Sequence, residues 1–158
     1  TAEHVRHSLG SRVDLILDGG PTDIGIESTV LSLTEAVPVL LRPGAVSQQE
    51  IEAIIGPIQV LSASPSRKPY LSPGLHHRHY APRTPLYLLA RNGKRPEGRG
   101  RLIPMPRNPK EFAAQLYAVL HGADEQGWDW IAMEKPPDTP EWAAINDRLR
   151  RASNREDA

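Results

Sequence analysis

Cysteine is absent from this 158-residue chain, which excludes disulfides and thiolate metal sites and fits a reducing compartment. Net charge is absent too. Lysine plus arginine and aspartate plus glutamate number 19 each, so no global field draws the protein to nucleic acid or membrane. No apolar run approaches the ~18 residues of a membrane span, and no charged-then-apolar signal segment opens the chain. Nor is there an internal repeat, a low-complexity block, a Walker-type glycine run, a Gly-x-Ser-x-Gly elbow or a dinucleotide fingerprint. Proline, in contrast, is plentiful: 16 residues, against a usual share of about 5%, which points to many connectors. The first residue is threonine, as expected of a processed chain or a piece of a longer one.

Read in order, Thr1 caps a short helix over 2–9 that Gly10 ends. Val5 and Leu9 share one face, so this helix is expected to pack on a sheet. Val13–Leu17 reads as a mostly buried strand, stopped by the turn Asp18-Gly19-Gly20-Pro21. Ile26–Leu33 has the β-branched content of a second strand, and Pro38–Leu41 supplies a third. Ser47 with Glu50 forms a capping box for a helix through Ile54 and Ile55, closed by Gly56. This first unit amounts to part of an α/β layer.

A second unit begins with a strand over 86–90. Arg91–Arg101 is a polar loop with five basic residues and one acidic one. Leu102 and Ile103 form a short strand cut by Pro104 and Pro106. Asn108 and Pro109 open a helix whose stripe is Phe112, Leu116, Val119 and Leu120, ending near Gly122 or Gly127. A strand over 128–133 follows. A last helix over 140–152 turns Trp142, Ile145 and Leu149 inward, and carries Arg148, Arg150 and Arg151 near its C-terminus, where cations suit the helix dipole. Strand, strand, helix, strand, helix predicts a small three-layer α/β domain.

Between the units lies Ser72-Pro-Gly-Leu-His-His-Arg-His-Tyr-Ala-Pro82, which two prolines keep out of regular helix and central strand. Its polar groups read either as a solvated linker or as an ordered connector laid over a neighbouring surface. His76, His77 and His79 are too cramped to supply three zinc ligands, and no cysteine or HExxH pattern supports them, so no metal site is expected. Ser28 alone reads as a strand serine bonding backbone. Arg42, where a strand emerges into a loop, reads either as a structural ion pair with Glu27 or Asp18, or as a rigid fork of donors for phosphate.

Three motifs carry a resemblance: Ser72-Pro-Gly-x-x-x-Arg-His-Tyr-Ala-Pro82, Gly25-Ile-Glu-Ser-Thr-Val30, and Leu40-Leu-Arg-Pro-Gly44. Their order and spacing are similar to the YrdC-like threonylcarbamoyl-adenylate synthase family in its long form. The resemblance implies the C-terminal part of a YrdC-like twisted-sheet domain (1–61), an interdomain linker (62–85) and a small Rossmann-like α/β domain (86–158). The family's upstream basic region and Ser-Ala-Asn segment have no counterpart here, so the chain is expected to be the C-terminal portion of such a synthase, inactive alone. His76 and His77 stand where the family usually has lysine and tyrosine.

The implied reaction joins threonine, bicarbonate and ATP into threonylcarbamoyl-AMP and pyrophosphate, for threonylcarbamoyladenosine modification of tRNA in the cytoplasm. By resemblance, Ser28 contacts threonine, while Arg42 and Tyr80 contact ATP. ATP is a substrate, and magnesium accompanies its triphosphate. No catalytic nucleophile is implied. Transfer RNA or other tRNA-modification proteins are the implied partners. Two readings from other classes stand beside this one. The first is an RNA-binding module using Arg91, Lys94, Arg95, Arg99 and Arg101; the second is a non-catalytic regulatory domain formed by the second unit.

Overall fold

A computed structural model of the chain describes residues 1–61 and 81–153. The signature residues His76, His77, Arg78, His79 and Tyr80 therefore lie outside the described residues.

Helix α1 (Ala2–Leu9) is capped as expected: the Thr1 hydroxyl accepts from the His4 N–H at 3.3 Å, and Gly10 closes the helix at φ 51°. Its packing differs from expectation, because it buries none of its residues and leaves Val5 and Leu9 exposed. It lies instead beside α3 (Pro109–Asp124), where the His4 and His7 rings stand 5.8 and 6.2 Å from that of His121. The strand expected over Val13–Leu17 does not form. Leu15 and Leu17 are 76% and 86% exposed, and this segment joins neither sheet. Apolar residues at alternate positions make a strand only when a ladder takes up their backbone donors and acceptors. The Asp18 turn does form, with the Gly20 N–H donating to Asp18 Oδ1 at 2.9 Å.

The first sheet runs β1 (Val30–Ser32), β2 (Val39–Arg42), β3 (Gln59–Val60), with β1 antiparallel and β3 parallel to the central β2. The strand expected over Ile26–Leu33 is cut to its last part, because residues 26–29 leave the sheet for another partner. Between β2 and β3 runs α2 (Gln48–Ile55), with its capping box intact: Ser47 Oγ accepts from the Glu50 N–H, and Glu50 accepts from the Ser47 N–H. Gly56 ends it.

The second sheet is wholly parallel, in the order β4 (Leu86–Leu89), β6 (Trp130–Glu134), β5 (Gly100–Ile103). Trp130 to Met133 of β6 are all buried, as befits a central parallel strand covered on both faces. Helix α3 crosses from β5 to β6, capped by Asn108 with Pro109 in its first turn. The last helix starts as a short 3-10 turn over Pro140–Trp142 and continues as α4 (Ala143–Ala152). Leu86, Leu116, Ile131, Met133, Ile145 and Leu149 are fully buried and form the heart of one core. That core also takes in Ile26 from the first half of the chain. Burying such a side chain contributes roughly 1.5–3 kcal/mol, so the start of this segment is tied to the second unit through Ile26.

Candidate substrate-binding site at the end of strand β2

Arg42 is the last residue of β2, at the carboxyl end where α/β proteins commonly hold ligands. Its side chain is almost wholly buried. Nε donates to the Ser28 carbonyl at 3.1 Å, and Nη2 reaches Ser28 Oγ at 3.5 Å. The two described residues singled out from the sequence thus meet in one contact. Tyr80, the third, lies outside the described residues.

Neighbouring groups fix the Ser28 backbone from several sides. Thr29 Oγ1 donates to the Val46 carbonyl at 2.7 Å. Gly44 packs onto the Glu27–Thr29 backbone with no room for a side chain. Gly25 approaches the α3 backbone at Ala113 and Ala114 equally closely. Both glycines are required by close approach of main chain to main chain.

Glu27 is the junction of the site with the second unit. Tyr117 Oη donates to its two carboxylate oxygens at 3.0 and 3.1 Å. Arg148 Nε donates to Glu27 Oε2, Nη2 to the Glu27 carbonyl at 3.1 Å, and Nη1 to the Pro43 carbonyl at 2.9 Å. Asp147 accepts from Arg148 and also from Arg151. Burial pushes the Glu27 carboxyl up. The hydrogen bond and charge of Arg148, with help from its own backbone and Tyr117, outweigh that and hold it below the ordinary carboxylate range. Glu27 is therefore a carboxylate at neutral pH, committed to Arg148.

Its position near the end of α4 suggests a helix-dipole role for Arg148; in the fold it is 5% exposed and ion-paired across the chain. The signal was present. Arg148 falls three residues after Ile145 and one before Leu149, on the buried stripe of α4. Tyr117 had no such signal, because it sits one position off the stripe of α3.

Where the connector rejoins the fold, Asp124 at the end of α3 accepts from the Thr84 and Arg83 N–H groups at 2.7 and 3.1 Å. Burial raises the Asp124 carboxyl, but these hydrogen bonds prevail and lower it. A shallow cleft beside this anchor is lined by His7, Ala81, Pro82, Tyr117 and His121 among others. In the basic loop, Arg99 is engaged: Asp129 accepts from its N–H, the Gly127 carbonyl from its guanidinium, and its charge lies 5.2 Å from the Trp128 ring. Among the described residues, no group of three or more His, Asp or Glu side chains converges as a metal site requires. No described helix is long and apolar enough to cross a membrane.

The family model described as threonylcarbamoyl-AMP synthase, C-terminal domain, matches residues 46–154. The chain belongs to that synthase family. A second model, described as telomere recombination, matches residues 1–44. Threonylcarbamoyl-AMP synthase of Bacillus subtilis is 38% identical over 96% of this chain and 52% of its own length. The Pyrococcus abyssi enzyme of the same name is 32% identical over 97% of this chain and 53% of its own. The crystal structure of P. abyssi Sua5 complexed with L-threonine superposes with a TM-score of 0.84 at 29% identity, over 97% of this chain and 53% of that one. The chain thus spans about half the length of the synthases it matches, and its α/β fold is that of the family.

Proposed function

We propose that this chain forms the C-terminal half of an ATP-dependent threonylcarbamoyl-AMP synthase, with Ser28 orienting threonine and Arg42 offsetting phosphate charge on ATP. The observation that carries the reading is the Ser28–Arg42 contact at the carboxyl end of β2, in a chain whose relatives bear that name. On this reading Tyr80 reaches the nucleotide from the connector, and the divisions at 61 and 85 separate synthase part, linker and C-terminal domain.

The chemistry needs positioning more than a protein nucleophile. The threonine amine takes up the one-carbon unit of bicarbonate, losing water, and becomes a carbamate. A carbamate oxygen then attacks the α-phosphorus of ATP, and pyrophosphate leaves with the bonding electron pair. Two reactants must be held in line while negative charge builds on phosphate oxygens, which is work for a fixed guanidinium and oriented hydroxyls. Magnesium belongs to this scheme as part of the bound nucleotide, held by phosphate oxygens. The product serves tRNA modification, and the cytoplasm is where that reading puts the protein.

The test is threonine-dependent pyrophosphate release by this chain supplied with the remaining half of the B. subtilis relative. Turnover that requires threonine, bicarbonate and ATP together, and falls when Ser28 is replaced by alanine, is expected. A complemented enzyme indifferent to threonine would overturn the reading.

A further inference from the structure

Arg148 bonds both residues that flank the candidate site pair. Glu27 immediately precedes Ser28, and Pro43 immediately follows Arg42; one buried guanidinium holds the carbonyl of each. The same guanidinium holds the Glu27 carboxylate, which Tyr117 grips from α3. We propose that Arg148, with Tyr117 behind Glu27, is a positioning residue that fixes the Ser28–Arg42 spacing from the second unit and so sets threonine affinity.

A peptide unit is planar, so fixing the Glu27 carbonyl fixes the direction of the Ser28 N–H bonded to it. Fixing the Pro43 carbonyl does the same for Gly44, which packs directly on the Ser28–Thr29 backbone. A guanidinium presents its donors in one rigid fork, so the two planes are held in a set relation and not merely near one another. Lysine has no such fork. Its ammonium is a point charge that can satisfy Glu27 without holding both carbonyls. A helix dipole or a docking role would require charge or bulk alone; the three acceptors on two separated loops require this geometry.

The inference rests on the reading of Ser28 as the threonine contact, and the experiment separates the two. In the 158-residue chain, Arg148→Lys, Arg148→Met and Tyr117→Phe are compared with wild type. L-threonine is titrated calorimetrically, and backbone order at Ser28 and Thr29 is read by NMR relaxation without ligand. Arg148→Lys should lower order at Ser28 and Thr29 while Ile131 and Met133 of β6 keep theirs. Threonine affinity should fall about two- to thirty-fold. Tyr117→Phe should move both readouts in the same direction by less, and it decides the matter together with Arg148→Lys if Arg148→Met does not fold. Folded variants with unchanged Ser28 order and unchanged affinity would overturn the proposal. So would a loss of order spread equally over β6, which marks general loosening. If wild type binds no threonine alone, the titration is repeated with the remaining half of the B. subtilis relative supplied; no binding there defeats the threonine role of Ser28, and the order readout then decides whether Arg148 positions that segment.

Discussion

A Cβ placed on Gly44 would stand 2.6 Å from the Ser28 carbonyl carbon and 2.8 Å from the Glu27 carbonyl oxygen. The obstacle is main chain, which cannot swing aside as a side-chain tip would. Gly44→Ala is therefore expected to push the Ser28 segment off Arg42, with an overpacking cost of roughly 1–3 kcal/mol. Urea titration should show the lost stability, and threonine titration a weakened ligand. An alanine variant with wild-type midpoint and affinity would contradict the close approach.

Acid should loosen the junction through Glu27. Its carboxyl is held below the ordinary value of 4.5, so the folded state binds this proton more weakly than the unfolded state does. The resulting stability is complete above that ordinary value and is lost as pH falls through the lowered one. Asp124, also lowered, from 3.8, contributes with the same sign at more acid pH. Thermal unfolding followed from pH 7 down to 3 should show stability falling chiefly below pH ~4.5. Glu27→Gln should start lower and flatten the upper part of that fall. A fall of the same steepness in the glutamine variant would remove Glu27 as its source.

Asp124→Ala should leave the Thr84 and Arg83 N–H groups without their acceptor. The Thr84 donor is partly buried, and its loss of partner costs about 1–3 kcal/mol. The Arg83 side chain is 83% exposed, so its ion pair adds little. Asp124→Asn keeps one acceptor oxygen and should recover part of the loss in the same denaturant titration.

Much of this organisation could be read from residue types. The Thr1, Ser47 and Asn108 caps, the glycine stop at Gly56 and the order of strands and helices in the second unit follow local rules, and local rules are what a sequence displays. Ser28 and Arg42 were marked as separate ligand contacts, and the fold adds that each braces the other. What escaped reading was long-range. Val13–Leu17 has the apolar content of a buried strand, but apolar content does not supply a neighbour. Arg148 was placed by its position near a helix end, although its partner Glu27 lies 121 residues away.

Exposed aliphatic side chains on the first half should make the isolated chain associate. Leu17, Leu33 and Ile54 are 86%, 70% and 84% exposed, and β1 is an edge strand. Such surfaces invite pairing with other chains. Sedimentation should show mass rising with concentration, and Leu33→Lys beside β1 should reduce it. A monomer at every concentration tested would refute the expectation.

The reach of Arg148 back to Glu27 also sets a clock. A chain leaves the ribosome N-terminus first, and 121 residues separate these partners. At usual synthesis speeds of about 5–20 residues per second, Glu27 waits roughly 6–24 s before its arginine is made. Through that interval the core that takes in Ile26 lacks its last helix, and the Ser28 segment has no Arg148 clamp. The proposed threonine contact, Ser28, is thus translated early and organised late, and a nascent chain stalled before α4 should be caught by proteases in that segment.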